Sequence, residues 1–536
     1  MKGLMQQTPL TLDLILRRAI ALGAGRDVVS ATPRGVVRHP WPDVGHRAAR
    51  LAAVLEELGV APGERVASFA WNSHRHVELH LGVPCAGRVL HPVNLRLSDE
   101  HIEYLVAKAG DQIAFIDALL TPQIAPLRHR LPIRQWVVME DGSEIDESFS
   151  DCPRYEELLA AATRDPQPPQ LAEDDAAWIC STSGTTGKPK LVVTSHRSVY
   201  LHTLGALMVD SHGISREDTV LPATPMFHVA AWGAPYTCAY APATLVLPGR
   251  DTSPDALARL IQSERVTVAF GVPTLWIQLE SVYDQGHYDL SSLKTIQSGG
   301  ASSTRALIER YARRGVQYVQ SWGMTEMSPC GTSSRVAPTA NGSEDRRPVT
   351  EVGPPSPGVE LRLVGDDGVP LPWDRVSVGE LEARGPWVIR AYLDPDDDAN
   401  HTRFHDGWLR TEDLARIGPD GTVQIVDRAK DLIKSGGEWI SSLDLERALA
   451  DHPDVGEVAV VAIADERWGE RPLAVVIPAG GRTPDPEQLR EFLGDRVPRW
   501  WIPERVLISD EIPKTTVGKY DKRALRARLA AEPIPR

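Results

Sequence analysis

The chain has 536 residues, 42% of them hydrophobic and 24% charged, with a formal net charge of −14. That length exceeds what one hydrophobic core supports, so at least two domains are expected. The acidic balance excludes a general nucleic-acid or membrane-surface binder, and any anionic ligand needs a local basic site.

The segment 10–22 is apolar in part but interrupted by Asp13, Arg17 and Arg18, which predicts an amphipathic helix and not a signal peptide. No run approaches eighteen uninterrupted apolar residues, so no integral membrane segment is expected. Residues 44–60 carry apolar groups at helical spacing and stop at Pro62-Gly63; Val66–Ala70 then reads as a buried strand. The polar stretch 141–175 reads as loop, and Ala176–Cys180 as a strand. Helix-then-strand units recur at 254–264 with 266–270 and at 304–314 with 317–320, which implies parallel sheets flanked by helices. Ligands of such sheets sit in loops at the carboxyl ends of the strands. The stretch 335–350 again reads as loop.

From Gly379 the pattern changes to short strands with turns, at 379–382, 418–421 and 423–426, which predicts a small antiparallel subdomain. A compact α+β unit follows residues 427–431, with helices near 443–451 and 486–496 and strands near 457–464, 472–478 and 505–509. The expected fold is therefore α/β and α+β. A large N-terminal domain, 1–429, holds the parallel-type sheets and the small β subdomain, and a smaller C-terminal domain, 430–536, follows. Five cysteines, Cys85, Cys152, Cys180, Cys238 and Cys330, stand far apart without a Cys-x-x-Cys pair. This usage fits a reducing, cytoplasmic home and gives no sign of zinc or a disulfide framework.

The run Ser181-Thr182-Ser183-Gly184-Thr185-Thr186-Gly187-Lys188-Pro189-Lys190 carries the most chemistry. Glycines let backbone N–H groups face an anion, hydroxyls add donors, and lysines supply charge, so the loop fits a polyphosphate. It lacks Walker spacing, because Pro189 stands where that motif has glycine and Leu191 follows Lys190. Only ten of the 58 basic residues are lysines, and seven of those fall at 188–190, 430–434 and 514–522. A compact ammonium on a flexible stem suits a phosphate oxygen in a way the planar guanidinium does not.

Five ordered signatures then become recognisable: STSGTTGKPK at 181–190, PMFH at 225–228, SWGMTE at 321–326, TEDLARIGPDG at 411–421, and DRAKDLIKSGGEWIS at 427–441 with PKTTVGKYDKRAL at 513–525. Together they resemble the adenylate-forming superfamily of acyl-CoA synthetases, adenylation domains and luciferases, over nearly the whole length. PMFHVAAWG and KSGGEWISS are most similar to the fatty-acyl-CoA ligase branch. The resemblance implies a carboxylate attacking the α-phosphorus of ATP to give acyl-adenylate and pyrophosphate, after which the CoA thiol displaces AMP. ATP, Mg²⁺ and CoA are the implied small molecules.

The resemblance also implies roles. Thr182, Ser183, Gly184, Thr185, Thr186, Gly187 and Lys188 would hold the β- and γ-phosphates, and Glu326 would hold magnesium, a hard cation suited to one carboxylate plus phosphate oxygens. Trp322 would lie against adenine, with Gly299, Gly300 and Ala301 on the other side, in the company of Ser321, Gly323 and Met324. Thr325 would bond the α-phosphate, and Asp413 the ribose with Arg428 assisting. Lys519 would neutralise charge at the bond forming between carboxylate and phosphorus, whereas Lys522 reads as a solvated tail lysine. His228 would stand near the carboxylate as a further catalytic residue, and His228, Val229, Trp232, Gly299 and Met324 would line the acyl pocket. The C-terminal domain would rotate about a hinge near Lys430, bringing Lys434, Ser435, Gly436, Gly437, Glu438 and Trp439 to the pantetheine tunnel.

Four family glycines are replaced here, by Leu191, Ser321, Ala391 and Glu412. Leu191 is expected to displace or stiffen the phosphate loop, Glu412 to bring negative charge near the ribose, and Ser321 to narrow the acyl pocket or bond within it. The first reading is a complete ligase for an apolar fatty or bulky acid, because residues 225–240 are mostly apolar and aromatic. A thioester-forming enzyme that needs preformed acyl-adenylate, and a non-catalytic nucleotide-binding protein, stay open beside it. A carrier-protein thiol in place of CoA also stays open, and a homodimer is one assembly open to the chain.

Overall fold

The computed structural model describes residues 1, 3–162, 169–182, 188–335, 351–436, 438–479, 482–515 and 519–531. An eight-stranded sheet runs in the spatial order Thr332–Ser333, Gln317–Trp322, Thr295–Gly299, Val268–Gly271, Thr219–Pro222, Thr244–Leu247, Asp27–Thr32, Gly35–Pro40. Its inner strands are parallel and its two edge pairs antiparallel. A six-stranded sheet, ordered Gln135–Met139, Asp111–Asp117, Arg65–Phe69, Val89–Pro92, Ala176–Ser181, Leu191–Ser195, is parallel except for its last pair.

Side-chain alternation along these strands sets the layers. Val268 and Phe270, with Val66 and Phe115 of the other sheet, face a shared core that also holds the helices Trp41–Glu57 and His74–Cys85. Ala269 and Ile296 point the other way, beneath the helices Pro254–Glu264, Pro273–Asp284 and Arg305–Arg313. The helix Pro254–Glu264 starts where Ser253 Oγ accepts the Ala256 N–H and ends where Arg265 turns left-handed. The segment 141–175 is not all loop, because Tyr155–Ala161 is a helix that buries Tyr155 and Leu159. Two turns in a polar stretch leave too little periodicity to read. The expected loop at 336–350 lies outside the described residues.

The antiparallel subdomain is present, with Trp408–Ile417 pairing both Gly379–Arg384 and Val423–Arg428. The C-terminal sheet centres on Val455–Asp465 and Gly469–Pro478, with Ile433–Ser435, Glu438–Ile440 and Arg505–Ile508 completing it. Helices Ser442–Ala450 and Pro486–Leu493 cover one face, and Lys522–Ala531 covers the other through Leu525. Lys522 is thus no tail lysine. Its ammonium sits 2.7 Å from both Glu446 Oε1 and Ser442 Oγ, inside the lobe, where Glu446 supplies the charge that burial requires. Among the described residues no helix is long and apolar enough to cross a membrane.

Candidate active site

A cavity of about 340 Å³ opens where the parallel strands of the eight-stranded sheet end, lined by Ala223–Pro225, Val272, Gly299–Gly300 and Ser321–Glu326. Among the described residues seven cations line it (Arg96, Lys188, Lys190, Arg403, Arg428, Lys430 and Lys519) against two carboxylates, Glu326 and Glu412. This is the local basic site that an acidic chain needs to hold an anion. A second cavity of about 390 Å³ adjoins it between the two lobes and shares Gly300, Ser321, Trp322, Gly323, Arg428, Lys430 and Lys519 with it.

Lys519 belongs to the C-terminal lobe and is tied back to Thr515. Thr515 N–H donates to the Lys519 carbonyl at 2.6 Å, Lys519 N–H donates to Thr515 Oγ1 at 3.2 Å, and Lys514 bridges Tyr520. A Cβ built on Gly300, whose φ is +84°, would lie 2.8 Å from Lys519 Cε, so this glycine makes room for the arriving side chain. Arg447 Nη2 also reaches across from the C-terminal lobe to Ser302 Oγ, at 3.1 Å. Burial, and secondarily Arg428, lower the Lys519 pKa to about 8. His228, beside it, is held neutral: burial first, then the Lys519 and Arg96 charges, push its pKa down to about 3.

Glu326 is buried at the cavity wall. Its Oε1 accepts from Tyr392 Oη at 2.5 Å and from Arg403 Nη1 at 2.9 Å. Burial, then the Glu326 charge, raise the Tyr392 pKa, so that phenol remains a donor. Oε2 makes no hydrogen bond among the described residues. Among the described residues no group of three or more His, Cys, Asp or Glu side chains is placed to hold a metal ion by itself. One open carboxylate oxygen fits a magnesium ion that draws its other ligands from phosphate and water. Sequence reading missed Arg403, an isolated arginine with no motif around it.

Trp322 is packed at its edge, and its Nε1–H donates to Asp413 Oδ2 at 2.8 Å. Arg428 Nε lies 3.3 Å from Asp413 Oδ1, because the two residues are register partners on adjacent strands. Ala301, Trp322, Asp413 and Arg428 meet in the second cavity, while Thr325, Met324 and Gly299 line the first. Gly323 admits no side chain, since a Cβ there would lie 1.5 Å from the Pro329 carbonyl oxygen.

His228, Val229 and Trp232 line the first cavity. The turn Val229–Gly233 is left-handed throughout, with φ of 40°, 42°, 48° and 57° at Val229, Ala230, Ala231 and Trp232 and 80° at Gly233. Left-handed backbone costs an L-residue about 1–2 kcal/mol, and such strain persists where surrounding packing enforces it. Here all five residues are buried, and the Trp232 ring stacks 6.1 Å from Phe270 and sits over Gly299.

The base of the lysine loop is closed by Thr182, whose N–H donates to the Lys190 carbonyl at 2.8 Å and whose Oγ1 accepts the Lys190 N–H at 3.1 Å. Ser183–Gly187 lie outside the described residues. Lys188 rests over the Tyr104 ring, and Lys190 pairs with Asp397. The segment Lys434, Ser435, Gly436, Glu438 and Trp439 forms a hairpin on the C-terminal sheet and lines neither cavity; Gly437 is not described.

The four glycine replacements separate cleanly. Leu191 does not intrude on the cavity: it is buried with Val89, Leu105 and Ile179, because strand pairing with Ser181 turns it into that apolar cluster. Leu191, Ser321 and Ala391 all keep φ negative, a backbone that any residue adopts. Only Glu412 holds the left-handed conformation, with φ at 64°, and its side chain enters the cavity near Arg403, Arg410 and Lys430.

Residues 20–393 match the AMP-binding enzyme family and residues 444–519 match the AMP-binding enzyme C-terminal domain. The chain is 38% identical over 539 residues to a 3-methylmercaptopropionyl-CoA ligase of Ruegeria lacuscaerulensis, covering 98% of each chain. It is 40% identical over 528 residues to a long-chain-fatty-acid–CoA ligase of Thermus thermophilus, covering 97% of this chain and 96% of the relative. Among solved structures, ATP-bound MatB of Rhodopseudomonas palustris superposes with a TM-score of 0.82 at 26% identity, covering 97% and 99%. The chain belongs to the AMP-binding enzyme family, the adenylate-forming superfamily. Within it, this protein is an acyl-CoA synthetase, an AMP-forming acid–thiol ligase that uses ATP and CoA.

Proposed function

We propose that this ligase performs both half-reactions on an uncharged-bodied, largely apolar carboxylic acid. The observation that carries the reading is the position of Lys519, which enters the cavity beside Gly300 and His228. The carboxylate oxygen bonds to the α-phosphorus of ATP while the bond to the bridging pyrophosphate oxygen breaks. Lys519 would offset the negative charge that builds at this centre. CoA sulfur then bonds to the acyl carbon, AMP departs with the carboxylate-derived oxygen, and the thiol proton is released.

Lys188 and Thr182 support the β- and γ-phosphates in this reading, and Thr325 the α-phosphate. Glu326 would hold magnesium through Oε2, with Tyr392 and Arg403 fixing the carboxylate through its other oxygen. Bound there, the ion neutralises phosphate charge. The adenosine fits the second cavity, between Trp322 and Gly300–Ala301, with its ribose toward Asp413 and Arg428. Trp232, Val272, Leu275 and Ala223 give the acyl end apolar walls, which supports a fatty or bulky hydrophobic body.

Residues 1–429 and 430–536 form the two working lobes in this account, hinged near Lys430. Ser442 N–H and Oγ both donate to Asp427 Oδ2, at 2.7 Å, and Arg526 pairs with Asp431, so the segment on either side of Lys430 is clasped while Lys430 itself is exposed. The arrangement with Lys519 inward suits the first half-reaction, and rotation would bring the 434–439 hairpin inward for the second. Three of the four replaced glycines need no unusual backbone, which favours a complete enzyme over one restricted to preformed acyl-adenylate. Acid-dependent exchange of labelled pyrophosphate into ATP, with thioester detection by mass after CoA is added, tests the reading. Exchange and thioester from the same acid are expected; thioester from synthetic acyl-adenylate without exchange contradicts it.

A further inference from the structure

The uncharged end of the first cavity is not uniformly greasy. Trp232, Val272 and Leu275 line one side, but Ser211, His212, Ser321, Cys330 and Ser333 line the other. The pleat explains the grouping. Gly299 pairs with Ser321 and Ser321 pairs with Ser333, so three neighbouring strands present small or polar groups on the face where Val268 and Phe270 sit further along. Several of these polar groups are already paired within the protein. Ser333 Oγ donates to the Ser211 carbonyl at 3.5 Å, Ser211 Oγ lies 3.5 Å from Cys330 Sγ, and Cys330 Sγ lies 3.2 Å from Ser356 Oγ.

Among the described residues that line the cavity, Ser321 Oγ, His212 Nδ1 and Thr224 Oγ1 are buried with no hydrogen-bond partner, and the first two belong to this polar group. The His212 ring is held in place by packing, 4.9 Å from Phe270, the same ring on which Trp232 stacks. Burial, and secondarily His202, lower its pKa to about 3, so the ring is neutral, with one donor and one acceptor nitrogen. Buried polar atoms are normally satisfied by protein, water or ligand. Ser211, His212, Ser321, Cys330 and Ser333 are all uncharged at neutral pH, and the nearby Arg335 donates to the His212 carbonyl instead of lining the cavity.

Accepting the ligase reading above, we infer that the acid carries a neutral oxygen group, a hydroxyl or a carbonyl, on the chain beyond its carboxyl. That oxygen would bond Ser321 Oγ and His212, while the chain between lies against Trp232, Val272 and Leu275. An anion is disfavoured, because Arg335, the guanidinium beside His212, is bound to the His212 backbone carbonyl and does not line the cavity. A plain alkyl tail is disfavoured because it would leave Ser321 and His212 dry and unpaired. A site built to bond a polar group rejects the analogue lacking it far better than an apolar slot rejects an added methylene.

The test compares acids in matched pairs: short- and medium-chain unsubstituted acids against ω-hydroxy and penultimate-oxo acids of the same length. AMP release with CoA gives kcat/KM for each, in the wild type and in Ser321→Ala, Ser321→Gly and His212→Phe. The oxygenated member is expected to win by about tenfold or more at one chain length. The Ser321 and His212 substitutions should shrink that ratio by about tenfold. Ser321→Gly restores the family residue, so it remains informative should His212→Phe fold poorly. Preference for the hydroxy over the oxo acid, or the reverse, tells which oxygen the pair holds, and either supports the inference. Equal or better use of unsubstituted acids by the wild type, or a ratio unmoved by every variant, overturns it while leaving the ligase reading standing. Absence of thioester from all acids overturns the ligase reading and this inference with it.

Discussion

Replacing Lys519 with methionine keeps the length of the side chain and removes only its charge. A unit charge about 4 Å from another is worth ~4 kcal/mol at an effective dielectric near 20, which corresponds to about 10³-fold in rate. Pyrophosphate exchange is therefore expected to fall about 10²–10³-fold, with the KM for ATP changing far less. Thioester formation from synthetic acyl-adenylate should stay within about tenfold of wild type, because in the proposed cycle that step uses the lobe rotated away. The pH profile adds an independent reading. The Lys519 pKa is lowered to about 8, so as pH rises through that value the ammonium loses its proton and adenylation declines. Bound ATP, being anionic, moves the limb upward, and the variant should lack it. Lobe closure carries the opposite sign. An ordinary lysine titrates at 10.5, so the closed arrangement carries the burden of a buried charge below about pH 8 and is relieved of it between there and 10.5. Unchanged exchange in a folded Lys519→Met protein would refute the argument.

Glu412→Gly relieves a left-handed backbone at an exposed side chain and should stabilise the protein by about 1 kcal/mol, seen as a rise of ~1–3 °C in a thermal melt; a fall contradicts the strain argument. Glu326→Gln should raise the magnesium concentration needed for half-maximal exchange about tenfold or more, and leave Arg403 without its counter-charge, lowering stability by about 3 kcal/mol. An unchanged magnesium titration would remove Glu326 as the metal's anchor. Lys522→Ala leaves Glu446 buried and unpaired and should destabilise the C-terminal lobe by about 3–5 kcal/mol, read as an early transition in urea; an unshifted curve would mean the pair is not closed in solution.

What could be read from sequence follows physical range. The helix Pro254–Glu264 was legible to the residue because its Ser-Pro start and its amphipathic spacing are local. The cation-rich site was legible because lysine is rare elsewhere and its motifs are contiguous. The helix Tyr155–Ala161 was not, since two polar-flanked turns carry little period. Lys522 was misread because its partner Glu446 is distant in sequence, joined only by folding of the lobe. Arg403 was missed for the same reason, as its tie to Glu326 spans 77 residues. Leu191 was expected to crowd the loop, yet the strand pleat decides which way it points, and that register is not written locally. His212 carried no motif; only the fold brings it against Phe270 at the end of the acyl cavity.

The central claim concerns which bond forms when ATP is consumed, and oxygen tracing reads it directly. An acid accepted by the enzyme, labelled with ¹⁸O in its carboxyl group, is turned over with ATP and CoA, and the nucleotide product is weighed. One labelled oxygen in AMP is the predicted result, since the carboxylate oxygen stays on the α-phosphorus when the thiol displaces it. Label in orthophosphate, or AMP without label, contradicts the account.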